Sequence, residues 1–259
     1  MASDTLPVVH GVDFSGADSG GAAKIRVVTR DLSTPKLPVT SMGRLDRRGL
    51  VRAVLSTPED GRIHLWRIDA PMSVPAEIAA AFEVPVDWVA IARWMQALGS
   101  PRHWRGTVRD RTRREPRREC DREFATPMSP LNLRVFKQTW TFVCEVLLPL
   151  AEQGVRIEPC VPGAGASARV RVAEGCPSSV LHAYGWPRRG YKGGGEPPRA
   201  QRAAILERLR GTGMQVPDQI AAEAVRDEEG DLLDALLLAT PPFASAPSAT
   251  AMAGEGWVY

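Results

Sequence analysis

The sequence predicts an α/β fold in which a mixed β-sheet is covered by helices on both faces. Four segments rich in β-branched and apolar residues read as strands, and longer segments with apolar residues at helical spacing separate them. The first two strands, residues 8–15 (VVHGVDFS) and 23–30 (AKIRVVTR), are joined by a short turn and form a hairpin. In open sheets of this class, functional residues collect at the carboxyl ends of the strands.

The same periodicities predict the remaining elements. Residues 62–71 (RIHLWRIDAP) and 168–174 (ARVRVAE) are the other two strands. Helices are predicted over residues 42–56, 86–98 and 134–152, from Pro177 onward, and over residues 199–210, 217–226 and 231–239. Pro149 lies inside one of these helices and is expected to kink or shorten it, because proline lacks the N–H that a helix interior needs.

Composition indicates a globular protein and excludes several kinds of site. A chain of 259 residues that is 44% hydrophobic can bury a full core without disulfides. The four cysteines are widely spaced and form no CxxC or Cys/His pair, so we expect reduced thiols and no structural zinc. We see no signal peptide and no apolar run long enough to span a bilayer, and therefore expect a cytoplasmic protein. The net charge of +3 permits nucleic-acid binding without arguing for it.

Acidic residues end three of the predicted strands. These residues are Asp13, Asp69 and Glu174, and neighbouring strands of a sheet lie about 4.8 Å apart. Asp231 and Asp234 are three residues apart in the last predicted helix and share one face. Carboxylates that converge need a cation, and hard oxygen ligands favour Mg²⁺ or Mn²⁺. A single acid at a strand end is also explained as a turn ligand, and Asp231 as a helix cap.

An ordered set of short motifs spans nearly the whole chain. The motifs are GVDFSGA, IDAPMSVP, RRECDREF with TPMSPLN, VAEGCPSSVL, YKGG followed by Arg199 and Arg202, DLLDALLLA, and the closing EGW. In this order they resemble domain-of-unknown-function family 429, described as predicted nucleases with a ribonuclease-H-like fold. The resemblance implies a sheet of five strands surrounded by helices. We expect one such domain over residues 1–240, with a helical insertion at about 75–152, and a tail over residues 241–259 whose EGWVY docks back on the body.

The resemblance also implies roles for the acidic residues. In ribonuclease-H-like nucleases and RuvC-type resolvases, the first strand supplies one metal-binding acid and a fourth strand beside it supplies a second, which here are Asp13 and Asp69. A C-terminal helix supplies the third, at Asp234. Asp231 lies one turn earlier, where related resolvases often place a polar ligand. Glu174 matches an acid typical of family 429 and is expected to be a further ligand or a group that orients one.

Metal-dependent hydrolysis of phosphodiester bonds in a nucleic acid is therefore the leading prediction. Its catalytic residues would be Asp13, Asp69, Asp231, Asp234 and Glu174, with one or two Mg²⁺ or Mn²⁺ ions as cofactor. The main alternative is a non-catalytic scaffold that binds nucleic acid or a protein partner on the same fold. The third is an actin-like phosphotransferase, which needs glycine-rich phosphate loops; the candidates are GADSGG, residues 16–21, and YKGGG.

Basic residues are concentrated in residues 102–122. This segment is expected either to contact a polyanionic backbone, with Trp104 stacked on a base, or to form a solvated helix face with internal ion pairs. The family resemblance places Arg118, Asp121 and Arg122 at the border of the site, although Asp121 is also explained by an ion pair with Arg118 or Arg122. The candidate substrate contacts are Arg114, Arg118, Asp121, Arg122 and, on the glycine-rich loop, Lys192.

Overall fold

The computed structural model describes residues 7–17, 23–243 and 246–259, apart from the side chains of residues 58–59. Within these residues, six strands form one mixed sheet. They are β1 (Val8–Asp13), β2 (Ile25–Asp31), β3 (Thr40–Leu45), β4 (His64–Asp69), β5 (Arg156–Ile157) and β6 (Val170–Glu174). Their order in the sheet is β3-β2-β1-β4-β6-β5. The expected count of five strands is therefore wrong, and the prediction of a mixed α/β fold is confirmed.

The sheet has an antiparallel half and a parallel half. β1 pairs antiparallel with β2, as the predicted hairpin requires, and β2 pairs antiparallel with β3. On its other side β1 pairs parallel with β4, and β4, β6 and β5 continue in the same direction. The carboxyl ends of β1, β4 and β6 consequently lie along one edge of the sheet.

Eleven α-helices occupy the described residues. They are α1 (Arg47–Ser56), α2 (Ala76–Ala81), α3 (Trp88–Ala97), α4 (Pro101–Thr112), α5 (Glu119–Glu123), α6 (Phe136–Phe142), α7 (Leu148–Glu152), α8 (Pro177–Ala183), α9 (Glu196–Gly211), α10 (Asp218–Arg226) and α11 (Asp231–Leu238). Turns of 3₁₀-helix lie at Thr57–Asp60 and Gly165–Arg169, and π-helical turns at Val143–Leu147 and Ala251–Glu255. In this part of the chain, no helix has the length and apolar character needed to cross a membrane.

Hydrophobic cores on both faces of the sheet hold these layers together. On one face, Val12, Val27 and Ile68 pack with apolar residues of α1 to α4, α6 and α7. On the other face, Val28 packs with residues of α8 to α11. This division follows from the strand geometry, because successive side chains of a strand point to opposite faces. The predicted cover of helices on both faces is confirmed.

The predicted helix over residues 42–56 begins later than expected. Residues 42–45 belong to β3, where Leu45 pairs with Ile25 on β2. Asp46 then caps the helix, since its carboxylate accepts a hydrogen bond from the backbone N–H of Gly49 at 2.6 Å. An N-cap aspartate has an extended backbone and so separates the strand from the helix.

Pro149 does not end the helix that contains it. The helical path runs from Phe136 to Glu152, through α6, the π-helical turn and α7. A proline ring clashes with the carbonyl four residues earlier, which here belongs to Glu145. Glu145 lies within the π-helical turn at Val143–Leu147, and this wider turn accommodates the ring.

The closing EGWVY docks on the sheet, as expected. Val258 forms a parallel bridge with Glu174 at the end of β6, and the backbone N–H of Tyr259 donates to the carbonyl of Glu174 at 3.0 Å. Trp257 is buried against Phe124 in an edge-to-face contact. The last residues therefore extend the sheet beside the end of β6.

Candidate metal centre

Two parallel strands and one helix bring three of the predicted aspartates together. Asp13 and Asp69 end β1 and β4 and are direct neighbours in the strand register. Asp234 lies in the first turn of α11, which packs across β1. One carboxylate oxygen from each aspartate lies within 4.8 Å of the other two. We call Asp13, Asp69 and Asp234 the aspartate triad.

A glycine on β1 allows α11 to lie this close to the sheet. A Cβ atom added to Gly11 would lie 2.1 Å from the carbonyl oxygen of Ala235, so no side chain fits there. Residues two apart on a strand share a face, and Asp13 therefore points to the side that α11 covers. The contact between Gly11 and α11 places Asp234 opposite Asp13.

The three carboxylates differ in their hydrogen-bond partners. Asp234, which is 1% exposed, accepts a hydrogen bond from the Tyr191 hydroxyl at 2.8 Å. It also forms an ion pair with Lys192 Nζ at 2.7 Å. No described residue donates a hydrogen bond to the carboxylate of Asp13 or Asp69, although Asp13 is only 9% exposed. Burial of a carboxylate without a donor is costly. Among the described residues, Asp13 and Asp69 therefore lack the direct cationic partner that Asp234 has in Lys192.

The proximity of the acids shifts their pKa values upward. Burial and then Asp234 raise the pKa of Asp69 from 3.8 to about 8, against the opposing effect of Lys192. Burial, Asp234 and Asp231 hold the pKa of Asp13 well above its ordinary value. Burial also raises the pKa of Asp234, which Lys192 and Tyr191 partly offset. A group of acids with raised pKa values in one cleft is a frequent property of functional sites.

The donor set of the triad fits a hard divalent cation. Mg²⁺ holds oxygen ligands at about 2.0–2.1 Å in an octahedron, so these oxygens lie about 3 Å apart when adjacent and about 4 Å apart when opposite. The triad oxygens, which lie within 4.8 Å of one another, would move closer by up to about 2 Å to reach adjacent positions around one ion. In the described part of the chain, this cluster contains neither histidine nor cysteine. Oxygen ligands alone favour Mg²⁺ or Mn²⁺ over zinc.

Glu174 has a different place from the triad. Each of its two oxygens accepts a hydrogen bond from the Arg118 guanidinium at 2.6 Å. One of them also accepts a hydrogen bond from the backbone N–H of Met72 at 2.9 Å. The same guanidinium pairs with Asp121 at 2.8 Å, and all three side chains are almost fully buried. Burial alone would lower the pKa of Arg118, but Asp121 and Glu174 hold it above its ordinary value. The expected Asp121–Arg118 ion pair is confirmed.

This arrangement changes the interpretation of two predicted substrate contacts. Arg118 and Asp121 do border the cleft, but they direct their charges at each other and at Glu174. Arg118 is 0% exposed, so its guanidinium supports the wall of the cleft and is not presented to a ligand. Glu174 accordingly binds Arg118 and the backbone of Met72, and it is not one of the three acids whose oxygens lie within 4.8 Å of one another.

The other predicted residues are distributed around the cleft. Asp231 lines it as the first residue of α11, while Gly230 takes the N-cap position. Lys192 lines it and contacts the triad. Arg114 and Arg122 are exposed and are not among the residues that line it. Arg122 instead donates to the carbonyl of Arg117 at 2.8 Å.

Trp104 is not available to a nucleic-acid base. Its side chain is 0% exposed and packs in the core beside Val108 of the same helix. Elsewhere in residues 102–122, Arg105 pairs with Glu115 at 2.8 Å, as the alternative of internal ion pairs expects. The candidate phosphate loop at residues 16–21 falls mostly outside the described residues, since residues 18–21 are not among them.

The triad lies in a large cleft with a basic rim. The cleft has a volume of about 1500 Å³, and it is lined both by the buried Asp13 and Asp234 and by several cationic side chains that are mostly exposed and that we call the basic rim. The cationic residues that line it are Lys24, Arg117, Arg134, Lys137, Arg188, Arg189 and Lys192, in addition to the buried Arg118. Most of these lie outside the arginine-rich segment, so the basic wall is assembled from distant parts of the chain.

Gln138 is a functional candidate that sequence reasoning missed. Its side-chain amide donates to the backbone carbonyls of Phe14 and Asp69, at 2.9 and 2.5 Å. It therefore ties together the two strand ends that carry Asp13 and Asp69. A Cβ atom on Gly16 would lie 2.5 Å from the Gln138 backbone, so this contact also requires a glycine. The available signal was a polar glutamine inside the largely apolar helix predicted over residues 134–152.

Comparison with known proteins identifies a family. The sequence profile described as "Protein of unknown function (DUF429)" matches residues 11–241, which is most of the chain and includes the whole triad. Searches of curated proteins and of solved structures find no match. The family expected from the ordered motifs is thus confirmed, and the chain belongs to DUF429.

Proposed function

We propose that the protein is a metal-dependent nuclease with a ribonuclease-H-like fold. The observation that carries the proposal is the aspartate triad, with oxygens within 4.8 Å of one another and with two carboxylates that form no hydrogen bond or ion pair with a described residue. The fold assignment is supported by the sheet, in which a fourth strand lies beside the first and each ends in one acid of the triad. The third acid comes from a helix near the end of the chain, as the assignment expects.

The residues of the cleft divide into two roles under this proposal. Asp13, Asp69 and Asp234 hold the cation, and the surrounding arginines and lysines bind the phosphate backbone on either side. A bound Mg²⁺ or Mn²⁺ supplies a water of lowered pKa and stabilises negative charge on the phosphate oxygens. Asp231 adds negative charge at the edge of the triad, while Glu174 fixes the wall through Arg118.

The test combines metal binding with cleavage. The parent protein and Asp13→Asn are titrated with Mn²⁺ by calorimetry and incubated with single-stranded and duplex DNA and RNA. We expect saturable binding and cleavage by the parent, and loss of both in Asp13→Asn with the fold retained by circular dichroism. The matched control is Asp31→Asn, an aspartate that ends β2 and does not line the cleft. Cleavage by Asp13→Asn at the parent rate would refute the assignment.

The same variants distinguish the nuclease from a binding scaffold when their affinity for nucleic acid is also measured, with and without EDTA. A scaffold would use the basic rim alone, so its affinity for nucleic acid would be unchanged by EDTA and by Asp13→Asn. A nuclease requires the triad, and its cleavage would stop under both conditions. Binding without metal dependence and without cleavage would therefore favour the scaffold over the nuclease.

A further inference from the structure

The ammonium group of Lys192 is the one cationic group in direct contact with the triad among the described residues. Its Nζ atom lies 2.7 Å from Asp234 Oδ2. A lysine ammonium group at this distance from a carboxylate forms an ion pair, so the side chain contributes one positive charge to the acid cluster.

The backbone around Lys192 is anchored on both sides. The preceding residue, Tyr191, is 6% exposed and donates its hydroxyl to Asp234 at 2.8 Å. The guanidinium of Arg202 binds the carbonyls of Tyr191 and Gly193 at 2.7 and 3.0 Å. The N–H of Gly193 in turn donates to the carbonyl of Glu228 at 2.7 Å. These bonds fix the backbone on both sides of Lys192, and its half-exposed side chain reaches Asp234 from this anchored point.

The position of Lys192 bears on how many cations the cluster can hold. Asp13, Asp69, Asp234 and Asp231 carry four negative charges when ionised, and Lys192 carries one positive charge. One divalent cation then leaves one negative charge and two leave one positive charge, so the charge count alone does not set the number of ions. Both oxygens of Asp234 already have a partner, because Lys192 Nζ lies 2.7 Å from Oδ2 and the Tyr191 hydroxyl donates to Oδ1 at 2.8 Å. A second cation at Asp234 would have to displace the ammonium group or lie beside its like charge, so the cluster favours a single ion as long as Lys192 is present.

We infer that this site holds one divalent cation and that the Lys192 ammonium takes the place of a second. The inference rests on the proposed function. Where two-metal nucleases use their second ion to stabilise an oxygen of the phosphate undergoing cleavage, Lys192 would donate hydrogen bonds to that oxygen and neutralise its charge. Lys192 is then a catalytic residue, and not one more contact of the basic rim.

The test counts Mn²⁺ ions in the protein without substrate. Calorimetry on the full chain is expected to give one ion per chain for the parent. Lys192→Met leaves four acids, with Asp231 included, and is expected to bind two ions, the first at least about tenfold more tightly. Lys192→Arg keeps the charge and is expected to bind one. Lys36→Met changes an exposed lysine that does not line the cleft and serves as the matched control.

The possible outcomes separate this inference from the proposed function. Two ions in the parent would overturn the inference. One ion in both the parent and Lys192→Met, with unchanged affinity, would also overturn it and leave the metal site intact. No Mn²⁺ binding by the parent would refute the proposed metal site itself. Paramagnetic resonance provides a second readout, because two adjacent Mn²⁺ ions in Lys192→Met would show a spin coupling that the parent lacks.

Discussion

The strongest prediction concerns the pH dependence of stability and its removal by Asp69→Asn. The pKa of Asp69 rises from 3.8 to about 8 on folding, because the side chain loses most of its contact with water and lies beside Asp234. Between these two values the folded protein binds a proton that the unfolded chain does not. Stability from this group is therefore fully present below about pH 4 and is lost as pH rises toward 8.

The size of this effect follows from the shift. One pKa unit corresponds to about 1.4 kcal/mol, so a shift of about four units sets a ceiling of about 6 kcal/mol. Water reaches part of the Asp69 side chain, and rearrangement around the ion reduces the cost, so we expect about 2–3 kcal/mol between pH 5 and pH 8. The asparagine in Asp69→Asn does not ionise. The free energy of unfolding of this variant, relative to that of the parent, should therefore increase by about 2–3 kcal/mol between pH 5 and pH 8.

Urea unfolding followed by circular dichroism at pH 5.0, 6.5 and 8.0, in EDTA, measures the effect. Asp31→Asn is the matched control on the same sheet. Partial burial alone would raise the pKa of Asp31, but hydrogen bonds from Ser33 and Arg62 hold it at about 2. Both its folded and unfolded values lie below pH 5, so its difference from the parent should be constant over this range. If the free energy of unfolding changed with pH by the same amount in the parent and in Asp69→Asn, the reasoning would be refuted.

Two further predictions concern the groups that support the triad. Arg118→Met leaves the buried carboxylates of Asp121 and Glu174 without a cationic partner, and we expect the free energy of unfolding to fall by about 3–5 kcal/mol in urea denaturation. The exposed Arg114→Met should cost under about 0.5 kcal/mol, and equal losses in the two variants would contradict this interpretation. Gln138→Leu removes the donor that joins the ends of β1 and β4, so we expect a loss of about 1–3 kcal/mol and weaker Mn²⁺ binding by calorimetry. Unchanged Mn²⁺ affinity would show that Gln138 does not position the triad.

The elements that carry the triad were predictable because their patterns are local. β1, β4 and β6 are short runs of buried β-branched and apolar residues, and each ends in an acid. Asp234 lies in a short helix whose leucines are all buried. In such segments the periodicity of the apolar residues and the residue types are sufficient to predict a strand or a helix. The family resemblance then supplied what the patterns lack, namely which strand ends are neighbours.

The parts that escaped prediction depend on contacts between distant residues. β3 is largely exposed at the edge of the sheet, so it shows no alternation of buried and exposed residues, and β5 has only two residues. The residues beside Arg118 in the sequence do not indicate that its side chain is buried against Glu174. Trp104 likewise reads as a base-stacking residue among arginines until the packing of its helix is known. Tertiary packing determines each of these positions.

The close contact between Gly11 and α11 has a consequence for how the protein acquires its site during folding. Asp13 and Asp69 are joined as soon as β1 and β4 pair, but Asp234 arrives only when a helix from the far end of the family-matched region docks on the sheet. Contacts of such long sequence separation form slowly, because the intervening chain must first be ordered. A nascent chain on the ribosome therefore carries an incomplete acid cluster until α11 has emerged, and chemistry at the triad begins only with that last docking step.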